Sequence, residues 1–119
     1  MKFYITQHCK DRYLERIFGG LNTSNHLLKT ILDDLYNGKN ITSKISENHI
    51  RFLLYTKEKY GNKGYNFIQF NNILFITTKR KGTMDLYDVL TCYDIHNCFT
   101  QFDNSIMTKS EIYHKLKMI

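Results

Sequence analysis

The spacing of apolar residues changes period once along this chain of 119 residues, close to Lys39-Asn40, and that change restricts the architecture more than any motif does. Before it, apolar side chains recur at helical intervals. Cys9, Tyr13 and Ile17, with Leu14 and Phe18 beside them, predict a short amphipathic helix over about residues 7 to 18, stopped by Gly19-Gly20. Thr23-Ser24-Asn25 then supply N-cap chemistry. Leu27, Leu28, Ile31, Leu32, Leu35 and Tyr36 give a second helix one broad apolar face, which Gly38 closes.

After the change the period is two. Ile50, Phe52 and Leu54 alternate with Arg51, Leu53 and Tyr55, so residues 46 to 56 read as a strand. Tyr65 to Phe70 and Ile73 to Arg80 follow as two strands joined by the two-residue turn Asn71-Asn72, and Leu86 to Tyr93 follows the turn Lys81-Gly82-Thr83. Thr108-Lys109-Ser110-Glu111 has the form of a capping box ahead of Ile112, Tyr113 and Leu116, which predicts a short terminal helix. The expected fold class is α+β: two N-terminal helices packed on one face of a four-stranded antiparallel meander, with a C-terminal helix. On that plan the opposite face of the sheet stays open to a ligand.

With 42% hydrophobic residues and neither repeats nor a linker-like stretch, residues 1 to 119 read as a single domain with a core of its own. The longest uninterrupted apolar run, Ile73 to Ile76, is far shorter than the roughly 18 residues a membrane helix needs. The N-terminus lacks the apolar stretch of a secretory leader, and three cysteines, Cys9, Cys92 and Cys98, do not make a disulfide framework. These features point to the cytoplasm and to no membrane. Cys92, His96 and Cys98 do not have the close pairing of a zinc site, so no metal and no cofactor is expected. His26, His49 and His114 read as structural.

Seventeen Lys and Arg against eleven Asp and Glu leave a formal charge of +6, which makes an acidic partner, RNA first, the leading expectation. His8, Arg12 and Arg16 are spaced four and four. On a helix each step advances about 40°, so the three form one stripe, about 100° from the stripe of Cys9, Tyr13 and Ile17. Arginine grips phosphate through a planar fork, and histidine gives or takes a proton at neutral pH. Together they suit phosphodiester chemistry, although a solvated helix face shows the same spacing. A second set, Lys57, Lys59, Lys63, Lys79, Arg80 and Lys81, lies among Tyr55, Tyr60 and Tyr65 on hairpin loops and strand ends. Cations interleaved with aromatics can bind single-stranded RNA, while lysines there also keep sheet edges soluble.

The stretch Ile5-Thr6-Gln7-His8-Cys9-Lys10-Asp11-Arg12-Tyr13-Leu14-Glu15-Arg16 resembles the opening helix, of pattern I-T-x-H-x-x-x-R-x-x-E-R, of small toxin-like domains in the barnase/EndoU/colicin/RelE ribonuclease superfamily. Asp88 to Tyr93 is similar to the hydrophobic-x-T-x-Y strand of those domains, so the resemblance spans residues 5 to 93. It implies a metal-independent ribonuclease. His8, Arg12 and Arg16 would be the helix contribution, Thr91 and Tyr93 the strand contribution, and an antitoxin a possible protein partner. Two other readings stay open: a non-catalytic nucleic-acid binder, and a phage or mobile-element inhibitor that docks on a nucleic-acid-handling enzyme.

Overall fold

The computed structural model describes residues 1–17, 24–96 and 108–118. In chain order the elements are β1 (Lys2–Ile5), α1 (Gln7–Arg16), α2 (Ser24–Asn37), β2 (Lys39–Asn40), α3 (Thr42–Asn48), α4 (Ile50–Tyr60), β3 (Asn66–Phe70), β4 (Ile73–Lys79), β5 (Leu86–Asp94) and α5 (Lys109–Met118). The fold is α+β. Its sheet has the order β1-β5-β4-β3-β2, with β1 parallel to β5 and every other pairing antiparallel.

The antiparallel core β3-β4-β5 follows from its turns. Asn71 takes a left-handed φ of 51°, a conformation asparagine tolerates, and closes the β3–β4 hairpin. Along β4 every residue from Ile73 to Thr78 is buried. A strand buried on both sides must have cover on both sides. Ile73 and Phe75 meet Cys9, Tyr13, Ile31 and Leu35 of α1 and α2, whereas Leu74 and Ile76 meet Ile45 of α3 and Phe52 of α4.

That second cover corrects the open-faced plan. Residues 46 to 56 are helical, divided between α3 and α4. The period of two was real, since Ile50, Phe52, Leu54 and Thr56 are all buried. Residues two apart on a helix point about 200° apart, on opposite sides. Phe52 packs on the sheet, and Ile50 and Leu54 pack on Ile112 of α5. A helix buried on two sides therefore imitates a strand in its burial pattern. The four-stranded antiparallel meander is corrected likewise: the described sheet has five strands, three of them the expected meander, β2 of two residues at one edge, and β1 at the other edge ahead of the helices.

Helix ends follow the sequence closely. Thr6 Oγ1 accepts a hydrogen bond from Cys9 N at 3.1 Å and starts α1, and Thr108 Oγ1 accepts from Glu111 N at 3.2 Å to start α5. At Gly38, where α2 ends, an added Cβ would lie 2.5 Å from Ile68 Cγ2, so the close approach of α2 to β3 requires glycine. Gly19-Gly20, Thr23 and Cys98, which the sequence reading used, lie outside the described residues.

Candidate functional site

The site is built where β1 stops pairing with β5. The two strands are in register from Lys2 with Leu86 to Ile5 with Val89, after which the chain turns into α1. Thr6 fixes that departure, because its hydroxyl donates to the Val89 carbonyl at 2.8 Å while capping the helix. The α1 helix thus runs beside the second half of β5, whose outer edge β1 no longer covers.

Buried Cys9 and Tyr13 set the rotation of α1. Both face the sheet and α2, and the Tyr13 hydroxyl donates to Asp34 Oδ2 at 2.6 Å. Burial and this bond push the tyrosine pKa up, and burial also raises that of Asp34. With that face fixed, the stripe of His8, Arg12 and Arg16 turns toward β5 and α4. Arg16 Nη1 donates to the Cys92 carbonyl at 2.7 Å, and its guanidinium lies 4.4 Å from the centre of the Tyr93 ring. The Tyr93 ring packs edge-on against Phe52 of α4 at 5.7 Å. Arg16 therefore occupies the free edge of β5 and reaches the ring held beneath α4.

The stripe gains a cation from α4. The His8 pKa lies below its ordinary value of 6.5, first through partial desolvation and then through the charges of Arg12, Lys59 and Arg16, with Asp11 opposing. Lys59, in the last turn of α4, also lies 5.7 Å from the Tyr55 ring and 5.4 Å from the Tyr60 ring. An exposed imidazole whose protonation is disfavoured by nearby cations can accept a proton.

Other predicted residues fall elsewhere. Arg12 forms an ion pair with Glu15 of its own helix at 2.5 Å. Thr91 is 1% exposed, and its hydroxyl has no hydrogen-bond partner among the described residues. Thr91 therefore lies beneath the surface at which Arg16 meets the Tyr93 ring. Lys57 and Lys63 belong to the end of α4 and the segment after it, not to a hairpin loop. Lys79 sits at the far end of β4, opposite Tyr87, six residues along β5 from Tyr93. At about 3.3 Å per residue that is about 20 Å from Arg16 and Tyr93, and the charges that act on His8 are those of Arg12, Lys59, Arg16 and Asp11, so Lys79, Arg80 and Lys81 form a separate basic region. Arg80 is paired with Asp88 and lies 4.9 Å from the Tyr4 ring centre.

Sequence reasoning placed Lys59 with the binding lysines and not with His8. Reading residues 50 to 60 as a helix puts Lys59 in the last turn of α4, but its approach to His8 is tertiary and has no signal in the local sequence.

Cys9 and Cys92 are both buried free thiols, with Cys92 Sγ 3.9 Å from the Cys9 carbonyl oxygen. They tie α1 to β5 by packing. Among the described residues no three His, Cys, Asp or Glu side chains are grouped to hold a metal, and no helix is long and apolar enough to cross a membrane.

The architecture thus defines an α+β domain with a basic, tyrosine-lined edge between its first and fourth helices. No family model, curated protein or solved structure matches the chain.

Proposed function

We propose that this protein is a metal-independent ribonuclease whose reacting phosphodiester lies along the free edge of β5, between α1 and α4. The observation that carries the reading is His8, exposed on the same stripe as Arg12 and Arg16, where partial desolvation and the charges of Arg12, Lys59 and Arg16 lower its pKa from the ordinary value. A neutral imidazole among cations is a base placed where an anion binds.

In the reaction, His8 takes the proton of a ribose 2'-hydroxyl and the 2'-oxygen attacks the adjacent phosphorus. The bond from phosphorus to the 5'-oxygen breaks, leaving a 2',3'-cyclic phosphate on one product. The departing 5'-oxygen takes a proton from water, which reaches this exposed edge. Charge grows on the phosphorane oxygens, where Arg16 and Lys59 are poised to stabilise it, and Arg12 joins them if the anion displaces Glu15. Tyr93 holds the Arg16 guanidinium in place through its ring.

Incubation of total RNA with the wild type and with His8→Ala tests this reading. Cleavage by the wild type and its loss in the variant are expected. RNA left intact by the wild type overturns it.

RNA binding without chemistry is the second reading, and one observation favours it. The guanidiniums of Arg12 and Arg16 already have acceptors in Glu15 and the Cys92 carbonyl, so both serve the fold as it stands. A binder would retain RNA in the same assay without cutting it.

A further inference from the structure

At the other end of β5 an open hollow of about 460 Å³ is lined by Lys63, Lys79, Arg80 and Lys81 together with Gly64 and Gly82. Its walls are fixed by hydrogen bonds. Thr78 Oγ1 donates to the Gly64 carbonyl at 2.8 Å, Arg80 N to the Leu86 carbonyl at 2.8 Å, and Thr83 Oγ1 to the Arg80 carbonyl at 2.7 Å. Gly82 has a left-handed φ of 82°, and nothing lies within 4 Å of a Cβ placed on Gly64 or Gly82, so the backbone there faces open space.

The charges in this hollow are unequal. The Arg80 guanidinium donates to both Asp88 oxygens and lies over Tyr4, so its charge is largely answered within the protein. For Lys63, Lys79 and Lys81 no ion pair is formed among the described residues. Three ammonium groups around one concavity repel each other, and an anion seated between them relieves that repulsion. Lysine acts toward phosphate as a mobile point charge, which suits a backbone contact without sequence preference.

Strand register connects the hollow to the reacting edge. Tyr4 pairs with Asp88 and Asp88 with Thr78, while Leu74 pairs with Tyr93. Along β4, Leu74, Ile76 and Thr78 share a face, so Tyr4, Asp88 and Tyr93 all lie on the α4 side of the sheet. Tyr4 is 53% exposed, stands between the hollow and His8, and is stacked by Arg80. Such a ring can receive a base.

We infer that the hollow is a phosphodiester-binding subsite. With Tyr4 it holds the flanking nucleotides of a single-stranded RNA whose reacting phosphate lies along the stripe of His8, Arg12 and Arg16, which ends at Tyr93 about 20 Å away. The inference rests on the RNA reading of the α1 edge and adds a substrate requirement. At about 3.4 Å per stacked nucleotide, a strand needs about six nucleotides to run from the hollow to Arg16 and Tyr93.

Fluorescence anisotropy with labelled 12-nucleotide and 3-nucleotide RNAs tests it on the full chain, comparing wild type with a Lys79→Gln/Lys81→Gln variant. The variant is expected to bind the 12-mer about tenfold more weakly, with a salt slope smaller by about 1.4, and the 3-mer within about twofold of wild type. An unchanged 12-mer affinity overturns the inference, and so does equal weakening of both RNAs. A calorimetric titration with inorganic phosphate separates the two sources of the anion: saturation of the hollow by phosphate without any effect of RNA length makes it a free-phosphate site and overturns the strand. If total RNA stays intact while the 12-mer effect persists, the cleavage reading fails and the subsite stands.

Discussion

The two ends of β5 carry the same sign of charge and are built for different work. Toward the Tyr93 end, Arg16 is held on a ring and a backbone carbonyl, and along the same edge the charges of Arg12, Arg16 and Lys59 act on His8. At the Tyr87 end, lysines from the segment after α4, the end of β4 and the turn that follows it surround a hollow without an imidazole among its lining residues. Charge alone would rank the two as equals. What separates them is the presence of a proton acceptor, which α1 presents because buried Cys9 and Tyr13 fix its rotation.

The sharpest way to break this comparison is at His8. His8→Gln is expected to lower single-turnover cleavage by about 10² to 10⁴-fold while RNA affinity changes little, because the imidazole supplies proton transfer and not charge. A loss of less than about tenfold would make the two ends equivalent. Arg16→Lys comes next. It keeps the charge but loses the planar fork and the ring stacking, and cleavage is expected to fall by about 10²-fold. A fall in melting temperature of similar weight to the fall in rate would instead assign Arg16 to closing the edge of β5.

Tyr13→Phe probes the pinning itself. It leaves the half-buried Asp34 carboxylate without its donor, and chemical denaturation is expected to show a loss of about 1–3 kcal/mol. The smallest effect is electrostatic. His8 is protonated less readily than an ordinary histidine, so cleavage should rise with pH and level off below pH 6.5. Removing one of the cations that lower its pKa, in Lys59→Gln, should move that limb to higher pH, and an NMR titration of the His8 ring reads the same shift. An unmoved limb would place Lys59 outside the site.

The sequence displayed the helical parts best. The second helix combined a wide apolar face with a closing glycine, and its position follows directly, as does the Asn71-Asn72 hairpin. The α4 helix was hidden because tertiary packing buries it on two opposite sides, an arrangement that local periodicity cannot distinguish from a pleat. Once it is misread as a strand, the second face of the sheet stays uncovered on paper and Lys59 drops away from His8. The stripe of His8, Arg12 and Arg16 was legible from spacing alone, and its meeting with Tyr93 is the part of the candidate site that geometry brings together. Thr91 is covered because it shares the α4 face of the sheet with Tyr93, opposite Ile76 and Leu74, and only Val89 and the residues before it are displaced by a bulge. The irregularity in β5, where Ile76 faces Thr91 but Thr77 faces Val89, shifts the strand by one residue at Leu90, and no local signal announces it.

The most direct measurement is mass spectrometry of the products when wild-type protein is incubated with a defined 12-nucleotide RNA in the presence of excess EDTA. The account predicts two fragments, one ending in a 2',3'-cyclic phosphate and the other beginning with a 5'-hydroxyl, at a rate the chelator does not change. Intact RNA, or cleavage that EDTA abolishes, would contradict it.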